Sequence, residues 1–306
     1  MLAGGVGAAR FLRGLCSLPE PLRLTVIVNT GDDETFFGLH VSPDLDTITY
    51  TLAHRAEPRQ GWGVAGDTFA CLQALHRFYR ETWFRLGDAD LATHIFRTDA
   101  LGRGMSLSRI TATIVRRHGI AARILPMSDD RVRTVVHVRG RGALPFQQYL
   151  VKHRGRGRVD AVRFTGSRSA RPAPGVLAAI RRADAIIIPP SNPIVSIGPI
   201  LSLAGVRQAL RHTPARIAAV SPLVRGRPIK GPLDKMLRGL GHEVSATAVA
   251  ALYRDFVDVF VLDRADLQLA PRVSALGITP IPTDTIMRTP SQSRALAAAV
   301  LQSVAS

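Results

Sequence analysis

Cysteine is nearly absent from this 306-residue chain, which contains only Cys16 and Cys71. Small proteins that depend on disulfides carry a larger, even set of cysteines, so a disulfide framework is excluded. Long hydrophobic runs are lacking too, since the longest candidates, such as residues 185–190, are the length of a strand rather than of a membrane-spanning helix. No secretory leader pattern is present at the N-terminus. The sequence therefore predicts a reduced, cytoplasmic protein with no membrane association.

Acidic side chains are also scarce, because 23 Asp and Glu stand against 40 Lys and Arg, which gives a formal net charge of +17. A basic field attracts polyanions. The arginines are nevertheless scattered over predicted helix faces, and none of the aromatic-interleaved or finger-type patterns of base readout accompanies them. The one basic run, residues 152–158, is more simply a solvated Gly-rich loop. We therefore predict no nucleic-acid partner.

The chain does contain a repeated alternation of short β-branched apolar runs with amphipathic stretches. The apolar runs have the pattern of strands buried on both faces, and they lie at 24–29, 185–188, 216–220 and 257–262. Helix-like stretches lie at 174–182, 198–212, 245–253 and 291–304. This alternation is typical of right-handed βαβ units. It predicts an α/β fold with a doubly wound, mostly parallel, Rossmann-like sheet.

Residues 57–120 differ from the rest, because they contain long amphipathic stretches and few strand signals. We predict that this segment is a mainly helical insertion that packs at the sheet edge and walls a cleft. Residues 1–56 and 121–306 would then form the Rossmann-like core with its nucleotide-binding loops.

In such sheets, ligands bind beyond the carboxyl ends of the strands, where the strand order reverses. The turn with Gly4, Gly5 and Gly7 could bring backbone close to a phosphate at a helix N-terminus. Its spacing matches neither the dinucleotide fingerprint nor a P-loop, so a plain strand-to-helix turn is an equal alternative. Asn29 and Thr30 open a second turn, whose acidic residues could hold ribose hydroxyls or could simply be exposed in an Asx turn.

A third segment, Ser-Pro-Asp-Leu-Asp-Thr at 42–47, has two alternative interpretations. Ser42 and Pro43 are typical of a helix start, where acidic residues stabilise the helix dipole. On a regular helix Asp44 and Asp46 would point apart, whereas in an extended turn they could converge on one hard cation.

A fourth loop follows the most apolar run and contains Ser191, Asn192 and Ser196. Its position favours a phosphate cradle over a simple helix cap. Asp88, Ser128 and Asp129 lie in two further polar segments, and either segment could be only an Asx turn or a helix cap.

In this order, the segments resemble the 2-phospho-lactate transferase family, which acts late in the synthesis of the deazaflavin coenzyme F-420. The matching motifs extend over nearly the whole chain. They are Gly-Gly-Val-Gly at 4–7, Asn-Thr-Gly-Asp-Asp at 29–33, Ser-Pro-Asp-Leu-Asp-Thr at 42–47, Gly-Trp-Gly at 61–63, Leu-Gly-Asp at 86–88, Ala-Thr-His at 92–94, Pro-Met-Ser-Asp-Asp at 126–130, Pro-Ser-Asn-Pro at 190–193, Ser-Ile-Gly-Pro at 196–199, Ser-Pro at 221–222, Gly-Pro at 231–232 and Val-Asp-Val-Phe at 257–260.

The resemblance implies a Mg²⁺-dependent transfer of a phospho-acyl unit from a guanosine-diphosphate-linked three-carbon acid to the terminal hydroxyl of a deazariboflavin, with release of GMP. It implies that Asp44 and Asp46 hold the metal or orient the acceptor, and that Arg85 is a basic residue of the acceptor site. The binding residues predicted on this basis are Gly4, Gly5, Gly7, Asn29, Thr30, Arg85, Asp88, Ser128, Asp129, Ser191, Asn192 and Ser196. A homodimer is also implied.

Two questions stay open at this point. The transferred unit could be phospho-lactate, phosphoenolpyruvate or phosphoglycerate, which differ by a few atoms. A nucleotide-sugar-binding regulatory protein of the same superfamily would share the glycine loop and the sheet, but it would need no acceptor pocket. A nicotinamide-dependent dehydrogenase is a poorer alternative because the fingerprint spacing fails.

Overall fold

Strands and helices alternate along the chain in the computed structural model, which describes residues 1–305. The strands are β1 (Leu2–Ala3), β2 (Thr25–Val28), β3 (Glu34–Phe36), β4 (Leu39–Val41), β5 (Arg123–Pro126), β6 (Arg133–Val138), β7 (Gly142–Pro145), β8 (Val159–Thr165), β9 (Ala185–Ile188), β10 (Arg216–Val220), β11 (Leu223–Val224), β12 (Arg227–Pro228), β13 (Val259–Asp263) and β14 (Thr279–Thr283).

The helices are α1 (Gly5–Leu15), α2 (Pro43–Leu52), α3 (Ala70–Leu75), α4 (Asp88–Gly102), α5 (Leu107–Arg117), α6 (Val176–Arg181), α7 (Gly198–Leu201), α8 (Val206–Arg211), α9 (Leu233–Gly239), α10 (Ala246–Ala251), α11 (Ala270–Ser274) and α12 (Pro290–Ala305). Two π-helical turns, Gln148–Lys152 and Pro193–Ile197, and a 3₁₀ segment, Arg264–Leu269, complete them.

Seven parallel strands form the centre of the fold. One hydrogen-bonded group has the order β5-β2-β1 and the other has the order β9-β10-β13-β14. β1 packs beside β9, so the strand order reverses between these two strands. The predicted doubly wound, mostly parallel α/β sheet is confirmed. The reversal between β1 and β9 is the switch point at which such folds bind ligands.

Both faces of the sheet are buried, as the continuous apolar runs predicted. On one face, Phe11 of α1 and Leu296 and Val300 of α12 pack against Val259 and Val261 of β13. On the opposite face, α6, α8, α10 and α11 supply a second apolar layer. Burying each such side chain stabilises the fold by about 1.5–3 kcal/mol. The strand ends at the switch point are therefore held in place by a well-packed core.

The predicted helix over 198–212 is interrupted, because α7 ends at Leu201 and α8 begins at Val206. Gly205 caps α8 with φ +80°, a left-handed conformation that breaks helical continuity. Residues 133–165 form a separate antiparallel sheet of order β7-β6-β8 beside the main one.

Residues 57–120 contain α3, α4 and α5, and the strand pairing of this stretch is limited to a bridge between Ala56 and Val64. α5 packs on β5 and shares the apolar cluster of β2, so it covers the sheet. By contrast, residues 57–87 bury only Leu72, Leu86 and Gly87. The division into core and insertion domains stays a prediction. None of the helices in residues 1–305 has the length and apolar character needed to cross a bilayer.

Candidate active site

The glycine loop and the loop after β9 meet at the switch point. Ser191 Oγ donates a hydrogen bond to the Gly4 carbonyl oxygen at 2.9 Å. A Cβ at Gly7 would lie 2.1 Å from the Pro190 carbonyl oxygen, and one at Gly4 would lie 2.7 Å from Ser196 Cβ. The glycines are therefore required for this close approach, and the structure brings Gly4, Gly7, Ser191 and Ser196 together.

Asp44 enters this junction from the first turn of α2. Its Oδ1 accepts a hydrogen bond from the Gly5 N–H at 2.8 Å, and its Oδ2 accepts one from Asn29 Nδ2 at 2.9 Å. Gly5 has φ +72°, which an L side chain rarely adopts. Gly4 has no side chain to cap α1, and Asp44 engages only the Gly5 N–H, so the next N–H groups of the first turn have no side-chain partner.

Asn29, at the end of β2, is completely buried and joins two carboxylates. Its Nδ2 also donates to Asp32 Oδ1 at 3.0 Å, while its Oδ1 accepts from the Gly31 N–H at 2.8 Å. Thr30 is buried beside it, and its carbonyl accepts the Asp33 N–H. The buried acidic cluster of the switch point is therefore Asn29, Asp32 and Asp44.

Burial dominates the electrostatics of this cluster. It raises the pKa of Asp44 to about 6, against the lowering effect of the hydrogen bonds from Asn29 and Gly5. Burial, and then the charge of Asp44, hold the pKa of Asp32 well above its usual range. Two desolvated carboxylates of like charge favour protonation or a cation.

The donor set of the acidic cluster fits Mg²⁺. The carboxylates of Asp32 and Asp44 offer oxygen ligands to a cation, and Mg²⁺ commonly binds one or two carboxylates together with waters and substrate phosphates. No group of three or more His, Cys, Asp and Glu able to hold a metal occurs in the described chain. The site thus has the composition of a shared protein–substrate site rather than of a closed protein cage.

Asp46 does not join Asp44. The segment is helical from Pro43, and residues two apart on a helix face different directions. Asp46 Oδ2 accepts from Arg97 Nη1 at 3.1 Å, and Oδ1 accepts from Arg97 Nη2. His94 Nδ1 lies 3.7 Å from Asp46 Oδ2. The predicted convergence of Asp44 and Asp46 on one cation is corrected accordingly, because both Asp46 oxygens are engaged by a buried guanidinium.

Asp33 links the two acidic positions. Its Oδ2 accepts from Ser42 Oγ at 2.7 Å and lies 3.1 Å from His40 Nε2. Arg97 is 2% exposed, and its charge lowers the pKa of Asp33, although burial raises that pKa more. Arg97 of α4 therefore binds Asp46 of α2, and Asp33 is held by His40 and Ser42 beside it.

Asn192 caps the π-helical turn that follows it. Its Oδ1 accepts from the N–H groups of Ile194 at 2.9 Å and Val195 at 3.3 Å. Its amide oxygen is therefore occupied locally, and its Nδ2 lies 3.7 Å from Met236 Sδ.

Asp88 and Arg85 lie within the insertion, away from the acidic cluster. Asp88 accepts from the N–H groups of Ala70 at 2.9 Å and Cys71 at 3.0 Å, so it caps α3, and hydrogen bonds lower its pKa. Asp67 in turn accepts from the N–H groups at the start of α4. The guanidinium of Arg85 lies 4.2 Å from the centre of the Phe69 ring.

Ser128 and Asp129 follow β5, two strands from the switch point. Ser128 Oγ donates to the Arg171 carbonyl at 2.6 Å. Asp129 accepts from the N–H and Oγ of Ser108, at 2.6 and 2.8 Å, at the start of α5. In this structure both residues make turn and cap contacts.

An aromatic pocket of about 450 Å³ lies beside the hairpin of β3 and β4, which joins Asp33 to Ser42. Phe36 stacks on Phe84 with ring centres 3.9 Å apart, and Trp83 meets Phe36 edge-on at 5.3 Å. Arg133 and Glu34 form an ion pair of 2.6 Å in the wall. The pocket lining is mixed, because aromatic rings share it with Glu34, Glu81, Arg133 and Gln148, and this combination suits a flat organic ligand that carries polar substituents.

Sequence reasoning missed two contributors to the site. Asp32 was visible in the acidic turn but was not selected as a site residue. Arg97 carried no signal, because one arginine among scattered arginines on a helical stretch is indistinguishable from surface charge. Only the tertiary contact with Asp46 identifies it.

Comparison with known proteins identifies the family of this chain. A protein-family model described as "2-phospho-L-lactate transferase CofD" matches residues 1–298. A phosphoenolpyruvate transferase of Streptomyces griseus is 45% identical over 91% of this chain and 89% of its own. A 2-phospho-L-lactate transferase of Methanosarcina mazei is 38% identical over 99% of both chains.

Protein BH3568 of Bacillus halodurans, solved by crystallography, superposes with a TM-score of 0.63 at 15% identity and covers 98% of each chain. That likeness concerns the fold alone. The family match and the relatives extend over nearly the whole sequence, switch point and insertion included, and on that ground the chain belongs to the 2-phospho-L-lactate transferase CofD family.

Proposed function

We propose that the protein transfers a phosphate-bearing three-carbon acid from a guanosine-diphosphate-linked donor to the terminal ribityl hydroxyl of 7,8-didemethyl-8-hydroxy-5-deazariboflavin, with release of GMP, in coenzyme F-420 biosynthesis. The observation that carries this proposal is the buried acidic cluster of Asn29, Asp32 and Asp44 beside the glycine loop. Oxygen ligands and helix N–H groups at one place are what phosphoryl transfer requires. We expect a cytoplasmic homodimer.

In the proposed reaction, the acceptor hydroxyl attacks the phosphorus that carries the acid. The bond from that phosphorus to the bridging oxygen breaks, the electron pair leaves with GMP, and the proton of the attacking hydroxyl is released to solvent. Asp32 and Asp44 would hold Mg²⁺, which supplies charge neutralisation at the phosphates. Asn29 orients both carboxylates through its single amide nitrogen, and the N–H groups of α1 that follow Gly5 would face the diphosphate.

The aromatic pocket is our candidate for the acceptor ring system. It lies on the insertion side of the hairpin that leads to the acidic cluster, and Trp83 lines it whereas Trp62 does not. Bound deazariboflavin should therefore quench the emission of Trp83. The quenching should persist in Trp62→Phe and disappear in Trp83→Phe, and the opposite pattern would place the acceptor elsewhere.

Phosphoenolpyruvate is the acid we propose. The relatives at 44–45% identity from Kitasatospora aureofaciens and two Streptomyces species are named phosphoenolpyruvate transferase, whereas those from Methanosarcina at 38–39% are named 2-phospho-L-lactate transferase. The three candidate acids differ by a few atoms, so we expect the enzyme to transfer phosphoenolpyruvate faster than the other two rather than to bind it exclusively.

The test is incubation with deazariboflavin, Mg²⁺ and the guanosine-diphosphate derivatives of phosphoenolpyruvate, phospho-lactate or phosphoglycerate, followed by mass analysis. The phosphoenolpyruvate adduct should form fastest, and GMP should appear in equal amount. Faster transfer of phospho-lactate or phosphoglycerate would show that our choice of phosphoenolpyruvate is wrong. Nucleotide binding without any transfer would favour the alternative of a regulatory protein that binds a nucleotide sugar.

A further inference from the structure

Two cationic side chains stand beside the glycine loop and have no part in the acidic cluster. Arg10 lies on α1, and Lys230 lies in the segment after β12. Lys230 Nζ donates to the Gln60 carbonyl oxygen at 2.9 Å. This contact brings a lysine from the second half of the chain and a loop of the insertion to the same place.

Helix geometry puts Arg10 at the mouth of the cleft. Val6 faces the insertion, because a Cβ at Gly61 would lie 2.6 Å from Val6 Cγ1, and Gly7 faces the Pro190 carbonyl. At 3.6 residues per turn, Arg10 projects between the directions of Val6 and Gly7. It therefore lies between the insertion loop and the loop after β9. Its one hydrogen bond, from Nη1 to the Met287 carbonyl, is long at 3.4 Å.

The two cations lack a neutralising acid. Neither takes part in any ion pair of the described residues. Partial burial, and then the charge of Arg10, lower the pKa of Lys230. Two positive charges held close together favour the binding of an anion, because the anion offsets the repulsion between them.

We propose that Lys230 and Arg10 bind the nucleotide phosphate that leaves in the reaction, an inference that rests on the proposed function. Charge develops on that phosphate as the bridging bond breaks, and fixed cations stabilise it. Lys230 uses one of its three donors on Gln60, so two are available for phosphate oxygens. The acidic cluster and the cation pair would then serve opposite sides of the bond that breaks.

Calorimetry at fixed Mg²⁺ with inorganic pyrophosphate, GDP, ADP and guanosine tests this assignment. Lys230→Gln should weaken pyrophosphate and GDP binding at least about tenfold, the loss typical of a charge-assisted hydrogen bond. Guanosine binding should stay unchanged, and Lys230→Arg should keep most of the affinity. Arg10→Gln should act in the same direction. Arg294→Gln removes the same charge from the exposed face of α12 and is the matched control.

The outcomes separate the two proposals. Wild-type pyrophosphate affinity in the folded Lys230→Gln protein, or no pyrophosphate binding by the wild type, overturns the cation pair. An equal loss in Arg294→Gln also overturns it, since a general charge effect would then suffice. Equal affinity for GDP and ADP contradicts only the proposal of a guanosine donor. In that case, a loss of pyrophosphate binding in Lys230→Gln but not in Arg294→Gln still supports the cation pair.

Discussion

The switch point and residues 57–87 hold their polar groups in contrasting ways. At the switch point, Asn29 and Asp44 are buried and backbone segments touch where only glycine fits. In residues 57–87, by contrast, only three residues are buried. There Asp67 caps the following helix α4, and Asp88 at the start of α4 caps α3 in return. Regions with few buried apolar contacts open at low free energy. The molecule thus combines a closely packed switch point with a segment that opens more easily.

Asp46→Asn should have the largest effect, because Asp46 and Arg97 join α2, which carries Asp44, to α4, which Asp67 caps. The change leaves a buried guanidinium without its carboxylate, and such losses cost about 3–5 kcal/mol of unfolding free energy. Urea unfolding measures the loss. Asp46→Leu combined with Arg97→Met should recover most of it, since no buried charge is left unpaired. Wild-type stability in Asp46→Asn would show that Arg97 reaches solvent.

Asp44→Asn should abolish most activity and cost about 1–3 kcal/mol of stability, because its new NH2 group must face either the Gly5 N–H or Asn29 Nδ2. We expect turnover to fall at least ~10²-fold, or roughly 2.7 kcal/mol of transition-state stabilisation, because a carboxylate of the proposed metal site is lost. Steady-state rates across a range of Mg²⁺ concentrations measure it. A folded variant with near-normal turnover would remove Asp44 from the reaction.

The same variant gives a pH signature without Mg²⁺. The folded-state pKa of Asp44, about 6, lies above its unfolded value. The group therefore adds its full stability below the unfolded pKa and loses it as the pH rises to about 6. Wild-type stability should decline relative to Asp44→Asn over that range and then stay level. A difference that does not change with pH would contradict the raised pKa.

Gly7→Ala tests the close approach at the switch point. The added Cβ would lie 2.1 Å from the Pro190 carbonyl oxygen, and the backbone must shift, which costs about 1–3 kcal/mol. Gly102→Ala at the end of α4 is the matched control, because open space surrounds that position. The control should gain up to about 1 kcal/mol from helix propensity. Equal effects in thermal unfolding would mean that the two sites are equally tolerant.

Asp88→Ala should have the smallest and most local effect. It removes the cap of α3 and should speed amide exchange at Ala70 and Cys71 several-fold, while β13 keeps its protection. Exchange followed by mass spectrometry of peptic peptides distinguishes the two segments. Loss of protection in both would mean that the insertion and the sheet unfold as one unit.

The sheet was predictable because its strands are buried on both faces, which leaves uninterrupted runs such as residues 216–220. The insertion was less predictable. The amphipathic stretch at 67–80 forms a helix only over Ala70–Leu75, since only Leu72 on it is buried. Propensity without packing does not sustain a longer helix.

For the site, the loops at Gly4 and Ser191 followed from the rule that ligands bind at strand ends. The different surroundings of Asp44 and Asp46 did not follow, because they depend on whether residues 43–47 are helical and on which helix lies opposite. The pairing of Asp46 with Arg97 spans 51 positions in the chain, and no local pattern encodes it.

The contact between Ser191 and Gly4 has a consequence for synthesis of the protein. Its partners are 187 positions apart, so Gly4 leaves the ribosome well before Ser191. At about 5–20 residues per second, the glycine loop waits roughly 10–40 s for the strand that completes it. During that interval the nascent chain displays a half-built switch point, so a chaperone would act on it before the strand that completes it has been made.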